Sequence, residues 1–455
     1  MSTTSFGRSS SQSSPEAFSE ASPPIDLTSS WDSQCSTLLS YVPPSIDQVV
    51  TTVFYNQYLH LDTDIKSSFI LDPFLSTDKV SPLSEVIKAL GTLSIPQSRC
   101  DRNLMTRARK KYANALRLTN QALADPLRAK ADDVLFTILL LSMWEMIAFD
   151  GPDSLLSWNI HVEGATKLLE IRGPEALQSP LGLLLFGRLR GQLLISCLSR
   201  DQQVPNILMN LVQSQQADQI GEASNLANGL ATIASRLCTL RVEIRRDVLT
   251  DDEISHRLLE LDRDAELWEH MLPAHYEYSH NRKSPCADSI VYGETYHMYN
   301  SATVAMILNN YRAVRVMLNI DFLLLSHNNT SSAWLTEARA KSLQTLISLS
   351  TDIAGSIPWI LGSAIEASFT VTQGLSVMWF LYIVAEAGEM LPPSLFRWVT
   401  EQLRRLHRVA GIGQAAVMAN LVEKGEEIAV WGGMVRRSLY APRAHALRKI
   451  RAVEV

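Results

Sequence analysis

The chain is poor in cysteine and contains no CxxC pair. Its five cysteines are scattered among 455 residues: Cys35, Cys100, Cys197, Cys238 and Cys286. An odd number of isolated cysteines argues against a disulfide framework and favours a reducing, intracellular compartment. The polar N-terminus also has no apolar stretch of the kind that a secretory signal peptide requires.

An excess of basic residues is missing as well. The chain has 41 Lys and Arg residues against 47 Asp and Glu residues, a net charge of -6, whereas folded nucleic-acid binders usually show a basic footprint. Two local basic clusters remain: Arg107, Arg109, Lys110 and Lys111, and then Arg436, Arg437, Arg443, Arg448, Lys449 and Arg451. The first has helical periodicity and predicts a solvated helix face. The second, in a basic C-terminal segment 431–455, is a candidate nuclear import signal.

The motifs of common enzyme classes are absent. The sequence has no G-x-S-x-G, P-loop lysine or HExxH motif. His161-x-Glu163 opens the signature of zinc deaminases, which needs a later Pro-Cys-x-x-Cys. Pro285-Cys286 begins such a motif, but Ser289 stands where the second cysteine is required. The pair is therefore better explained as part of a helix face.

Two further partial motifs are weak for structural reasons. Gly411-x-Gly413-x-x-Ala416 fits the dinucleotide fingerprint, but the preceding residues have helical rather than strand periodicity, so a helix break or close helix packing is favoured. A His-rich segment with two acids does not align on one helix face: His270, His275, His280, Glu269 and Glu277. We expect no catalytic residues, no cofactor and no bound zinc.

Apolar side chains at helical spacing dominate the rest of the chain. The first forty residues contain fourteen serines and predict a disordered Ser-rich tail over 1–44. Segments 201–220 and 273–289 are predicted as loops. The predicted helices cover about 46–61, 101–124, 132–151, 153–173, 181–200, 224–248, 251–271, 294–325, 333–355, 363–388 and 393–429. The fold class is therefore all-α, a large domain of antiparallel helix pairs.

Two apolar stretches test whether the chain enters a membrane. The stretch 134–149 is shorter than a membrane span and contains Glu145. The stretch 367–385 is long enough but is diluted by polar residues. Both are better explained as buried core helices, and we expect no membrane contact.

The helix pair on either side of Gly151-Pro152 poses a problem of burial. Glu145 lies in a helix that is apolar all round, and an unpaired buried carboxylate is costly. We expect Glu145 to bond to His161 or Arg172 on the next helix. Glu163 should face water, and its spacing from Lys167 suits an exposed ion pair. A further expectation is that Gly164 lets the two helices approach closely.

The stretch 115–177 resembles the fungal-specific transcription factor domain, the helical regulatory region of fungal zinc-cluster transcription factors. The residues that carry this resemblance are Trp144-Glu145, Trp158, His161, Gly164-Ala165, Leu168-Leu169 and Arg172-Gly173. The stretch 392–416 is similar to the family's C-terminal part, and the resemblance covers about residues 45–430.

The resemblance implies a nuclear transcriptional regulator and no enzyme. Such factors usually carry six N-terminal cysteines that hold two zinc ions, but this chain has one cysteine before residue 100. We therefore expect no autonomous sequence-specific DNA binding. The expected partners are the transcription machinery or a factor with its own zinc cluster, in a homodimer or heterodimer, and the expected target is a gene cluster for a specialised metabolite. Two alternatives stay open: a helical enzyme or ligand-binding protein with a pocket between helices, and a degenerate family member with only a scaffold role.

Overall fold

The computed structural model of the chain describes eight ranges of residues. These are 44–58, 80–95, 101–149, 151–215, 221–283, 290–326, 333–362 and 369–424. The described residues from Ile46 onward belong to one unit and are mostly helical. The all-α prediction is confirmed. The Ser-rich tail 1–43 and the basic segment 431–455 lie outside the described residues, so the predicted domain bounds stay predictions.

Fifteen α-helices account for most of the described residues. They are α1 Ile46–Tyr58, α2 Pro82–Leu93, α3 Arg102–Leu123, α4 Pro126–Ala129, α5 Asp132–Ala148, α6 Pro152–Arg172, α7 Pro180–Ser199, α8 Asn206–Ser214, α9 Glu222–Arg245, α10 Asp251–His270, α11 Ala302–Leu325, α12 Ala333–Ile360, α13 Val371–Glu386, α14 Pro393–Ala410 and α15 Gly413–Lys424. Two short antiparallel strands, β1 Ser279–Arg282 and β2 Thr295–Met298, form a hairpin with Ser279 opposite Met298.

Consecutive helices pack side by side to build the core. The most extensive contacts join α2 with α3, α11 with α12 and α5 with α6. Helices α5 and α13 are buried along nearly their whole length, from Val134 to Ile147 and from Val371 to Ala385. The prediction that the two apolar stretches are core helices is confirmed for their described residues.

One helix passes a simple membrane-span criterion. Among the described residues, α7 is long and apolar enough to cross a bilayer by length and composition alone, and half of its apolar window is buried inside the protein. The core helices of globular proteins pass the same criterion, so this finding is weak evidence for a span.

Three helices and a hairpin were missed, the shortest helix being α4. Helix α2 begins with a Ser81–Ser84 capping box and Pro82 at its first position, a start signal that was available. Helix α8 follows Pro205 in a segment that was predicted as a loop because of its polar residues. Strand β2 occupies 295–298, where a helix was predicted from 294. The predicted helix 393–429 ends at Ala410, since Gly411 adopts φ 66°, and resumes at Gly413.

Candidate functional site

A three-residue polar cluster lies where helices α3, α5 and α6 meet. Tyr112 donates a short hydrogen bond to Glu145, and its hydroxyl lies 3.1 Å from Nε2 of His161. The same His161 nitrogen is 3.8 Å from the Glu145 carboxylate. Burial raises the pKa of Tyr112, and the hydrogen bond to Glu145 raises it further, so the phenol stays protonated as a donor. Its ring stacks on Trp144 at 4.9 Å between centroids. We call Tyr112, Glu145 and His161 the clamp.

The clamp confirms one sequence prediction and corrects two others. Glu145 is buried and its carboxylate lies 3.8 Å from Nε2 of His161, one of the two predicted partners, but its hydrogen-bond donor is Tyr112, which the sequence analysis missed. Arg172 instead binds Asp132, at the start of α5, so the alternative partner was wrong. Gly164 does not bring the two helices together, because a Cβ atom there would meet nothing within 4 Å.

The two residues of the His-x-Glu motif point in opposite directions. His161 points towards Tyr112 and Glu145, the other members of the clamp. Glu163 is exposed, as predicted, and its carboxylate lies 2.8 Å from Arg200. The predicted pairing of Glu163 with Lys167 is wrong, since Lys167 binds Glu170 at 2.9 Å. Residues 284–289, with Cys286, lie outside the described residues. A proton shuttle would have to lie on the same side of α6 as a metal held by His161. Glu163 faces another side, so the two residues do not form a deaminase site.

The His-rich segment does not converge on one point either. His275 lies 2.8 Å from the Glu222 carboxylate, and the His280 ring lies 4.9 Å from that of His297. No group of three His, Cys, Asp or Glu side chains that could hold a metal occurs within the described ranges.

The glycine-rich motif at 411–416 is a helix junction. Gly411 caps α14 in the left-handed conformation, and Gly413 packs against Phe149 and the Ile147 carbonyl of α5. The predicted helix break with close packing is therefore confirmed, and helix α14 rather than a strand directly precedes the motif.

A seam of buried polar residues runs along α11. Four of its members are three or four residues apart, as helical spacing requires: Asn309, Arg312, Arg315 and Asn319. Arg315 binds both carboxylate oxygens of Asp262 on α10 at 2.8 Å, and Asn319 donates to the same carboxylate at 3.0 Å. A bidentate pair of this kind fixes orientation as well as distance, so the seam locks α10 against α11.

The most deeply buried ion pair among the described residues involves Asp321, near the C-terminal end of α11 and on a different side of the helix from the seam. Arg241 of α9 binds Asp321 through two hydrogen bonds of 2.7 and 3.1 Å. The same guanidinium donates to the Leu198 carbonyl at 2.8 Å and lies 3.5 Å from Asp201. Arg241 and both acids are 2% exposed or less. Three helices, α7, α9 and α11, therefore meet at one buried charge.

Arg312 holds the seam against the hairpin. It donates to the Tyr299 hydroxyl at 2.8 Å, and its guanidinium lies over the Tyr278 ring at 4.9 Å. His297 of β2 is 4% exposed, lies 2.9 Å from the same Tyr299 hydroxyl and is 3.8 Å from Asp352. Burial, together with the positive charges of Arg312 and His280, lowers the pKa of His297 to about 3. His297 is therefore neutral in the folded protein.

The state of His297 predicts a pH-dependent stability. The unfolded chain protonates this side chain below about pH 6.5, while the folded chain keeps it neutral down to about pH 3. Stability is therefore lost as the pH falls through this window, by up to about 1.4 kcal/mol per pH unit from this one group. Urea unfolding between about pH 7 and about pH 5 measures the slope, and His297→Gln should reduce it. An identical slope in both proteins would contradict the assignment.

An open cleft lies beside α1, α2 and α3. It has a volume of about 550 Å³ and is lined by Glu85, Asn103, Thr106, Arg107, Lys110, Lys111 and Asn114. Three members of the first basic cluster line it, but they are not simply solvated as predicted. Arg107 binds Asp47, and Lys111 binds the buried Glu85 at 2.9 Å.

The cleft is a network of ion pairs. Burial alone would raise the pKa of Asp47, but the hydrogen bond from Arg107 and the charges of Lys111 and Lys88 lower it. Asn114 also donates to Glu85, at 2.7 Å. Such an arrangement suits a charged contact surface better than a reaction centre, since the carboxylates already hold the cations.

Comparison with known proteins places the chain in a family. The model of the fungal specific transcription factor domain matches residues 50–424. No curated protein and no solved structure matched the chain. This domain belongs to transcriptional regulators and is generally non-enzymatic. The matched range includes the clamp, the seam and the charged cleft. Because the match spans most of its length, the chain belongs to the fungal-specific transcription factor domain family.

Proposed function

We propose that this chain regulates transcription through protein partners and does not select DNA sequences by itself. The observation that carries the proposal is the family match over 50–424 in a chain with five cysteines. Two zinc ions in a six-cysteine cluster need one thiolate more than these 455 residues contain. The partner is a factor with its own zinc cluster or a component of the transcription machinery.

The site of action and the target follow from the same reasoning. A regulator of transcription acts in the nucleus, and the basic cluster in 431–455 is the proposed import signal. On the family resemblance, the proposed target is a gene cluster for a specialised metabolite. Fusion of a fluorescent protein to the full chain, with and without 431–455, tests the import signal by microscopy. Unchanged nuclear fluorescence after the deletion would refute it.

A further prediction concerns DNA binding by the purified protein. The purified full chain should show no sequence-specific DNA binding at physiological salt, because it is acidic overall and cannot form the zinc cluster. Weak contact through the basic C-terminal residues should fade steeply as salt rises. A gel-shift titration against random genomic fragments provides the measurement. Tight binding to one sequence that resists competitor DNA would refute the prediction.

A transcription readout tests the function itself. The full chain is fused to an unrelated DNA-binding domain and tethered upstream of a reporter gene in a fungal host. We expect reporter transcription to rise or fall relative to the DNA-binding domain alone. The control is a fusion carrying Arg241→Met, which should lose the effect because it damages the buried core. Equal reporter output from the intact fusion and the DNA-binding domain alone would contradict the proposal.

The second candidate, an enzyme or ligand-binding protein, has one observation in its favour. The charged cleft is large enough for a small molecule and is lined by titratable side chains. Its Arg107 and Lys111 are bound to Asp47 and Glu85, so an anionic ligand would have to displace these carboxylates. The cost of that displacement favours the regulator.

A further inference from the structure

The outer face of α6 carries apolar side chains where a solvent-facing helix normally carries polar ones. Leu156 is 60% exposed, Ile160 64% and Ile171 55%. Together with Lys167 they form one stripe at helical spacing along the side of α6 that faces away from the clamp. Single exposed apolar residues are ordinary on protein surfaces, but three on one helix face mark a contact surface. We call this set the α6 stripe.

A gap in the helix surface at Gly164, which we call the notch, lies beside the α6 stripe. Gly164 lies in the helix interior, where glycine is less favourable than alanine, and a Cβ atom there would meet nothing within 4 Å. The contrast is Gly91, where a Cβ atom would collide with the backbone of Val50. Gly187 of α7 is equally open, so an open glycine alone is no evidence of a partner. At Gly164, however, the open space lies beside exposed apolar side chains.

The α6 stripe is complementary to itself in the antiparallel direction. Leu156 and Ile171 lie at equal distances on either side of the midpoint between Glu163 and Gly164, and so do Ile160 and Lys167. An antiparallel copy of the helix therefore sets Leu156 against Ile171 and Ile160 against the aliphatic stem of Lys167. The notches at Gly164 then meet near the two-fold axis.

The charged side chains of Lys167 and Glu163 are also complementary between the two copies in this antiparallel register. Lys167 of one copy lies beside Ile160 of the other, and Glu163 is one helical turn from Ile160. The ammonium group of Lys167 thus reaches Glu163 of the second copy, twice across the axis. Within one chain Lys167 binds the exposed Glu170, and the exposed Glu163 carboxylate lies 2.8 Å from the partly buried Arg200. From this we propose that the α6 stripe is the interface of a homodimer in which two α6 helices pack antiparallel about Gly164.

The geometry sets the strength of this dimer. The stripe from Leu156 to Ile171 is about 22 Å long at 1.5 Å per residue, which is a small contact compared with a standard protein interface. The dimer should therefore form and dissociate with concentration. Every contact occurs twice, as in any interface with two-fold symmetry.

The experiment is sedimentation of the purified full chain over a concentration series. We expect a shift from the mass of one chain, 50.7 kDa, to that of two as the concentration rises. Gly164→Leu should abolish the shift, because its side chain fills the notch and holds the helices apart. The matched control is Gly187→Leu on α7, which also places a side chain in open space and should leave the shift unchanged. A chain that is monomeric throughout, or a Gly164→Leu variant that still dimerises, overturns the proposal.

Charge reversal tests the register and separates this interface from any other. Glu163→Lys and Lys167→Glu should each weaken the dimer about tenfold, because each creates two like-charge contacts across the axis. The double variant should restore the wild-type association. Failure of the double variant to recover would rule out the antiparallel pairing. Circular dichroism checks that each variant keeps its helices, so a loss of fold cannot be mistaken for a loss of dimer.

Discussion

Replacing Arg241 with methionine should lower the free energy of unfolding by about 3–5 kcal/mol, one of the two largest effects expected from a single substitution in this chain. The guanidinium is almost fully buried and binds Asp321 through two hydrogen bonds, with Asp201 at 3.5 Å. Its removal leaves two buried carboxylates without their cation, in a place that water does not reach. Methionine has a similar length, so the loss comes from charge and hydrogen bonding rather than from a cavity.

The control for this experiment lies on the same helix. Arg236 also binds an aspartate, Asp264, but both side chains are substantially exposed. Surface pairs contribute about 0–1 kcal/mol, so Arg236→Met should be nearly neutral. Chemical denaturation of the two variants and the wild type measures the difference. Equal midpoints for the two variants would show that burial of the Arg241 pair has no energetic consequence.

The second large effect concerns the clamp. Glu145→Ala should lower the free energy of unfolding by about 3–5 kcal/mol, since it removes the acceptor of the Tyr112 hydroxyl and the charge beside His161. Tyr112 and His161 would remain in the interior without their shared partner. The expected result is a lower thermal midpoint with unchanged helix content at low temperature.

Glu163→Ala is the matched control for the clamp. Glu163 is the second residue of the His-x-Glu motif, yet its carboxylate is exposed and held only by Arg200. Its loss should change stability by under about 0.5 kcal/mol. Thermal melts in which the two glutamate variants behave alike would contradict the account of the clamp. They would also reopen the question of what His161 and Glu163 do together.

Local signals in the sequence were sufficient for most of the helices. Gly173-Pro174 ends α6 where predicted, because glycine permits the final backbone turn and proline cannot continue the helix. Helix α5 ends at Ala148, three residues before the predicted Gly151, which instead precedes the first residue of α6. Helix α2 was missed although its Ser81–Ser84 capping box and Pro82 signal a helix start. The hairpin was missed because its two strands have only four residues each.

Partners far apart in sequence were harder to predict. The exposure of Glu163 followed from its position off the buried stripe, and contact between Glu145 and His161 followed from the tight turn between their helices. The binding of Arg172 to Asp132 and of Arg241 to Asp321 joins residues 40 and 80 positions apart. No local sequence signal predicts which residues form such pairs. The polar residues at helical spacing in α11 were a visible signal of a buried network, although not of its partners.

The most direct test of the central claim compares chromatin in the cell with DNA in the test tube. Chromatin immunoprecipitation of the full chain identifies the DNA fragments that it occupies, and the same fragments are then offered to the purified chain. We expect occupancy of defined promoters in the cell and no competitor-resistant binding of those fragments by the chain alone. Sequence-specific binding by the purified chain, or its absence from chromatin in the cell, would contradict regulation of transcription through partners.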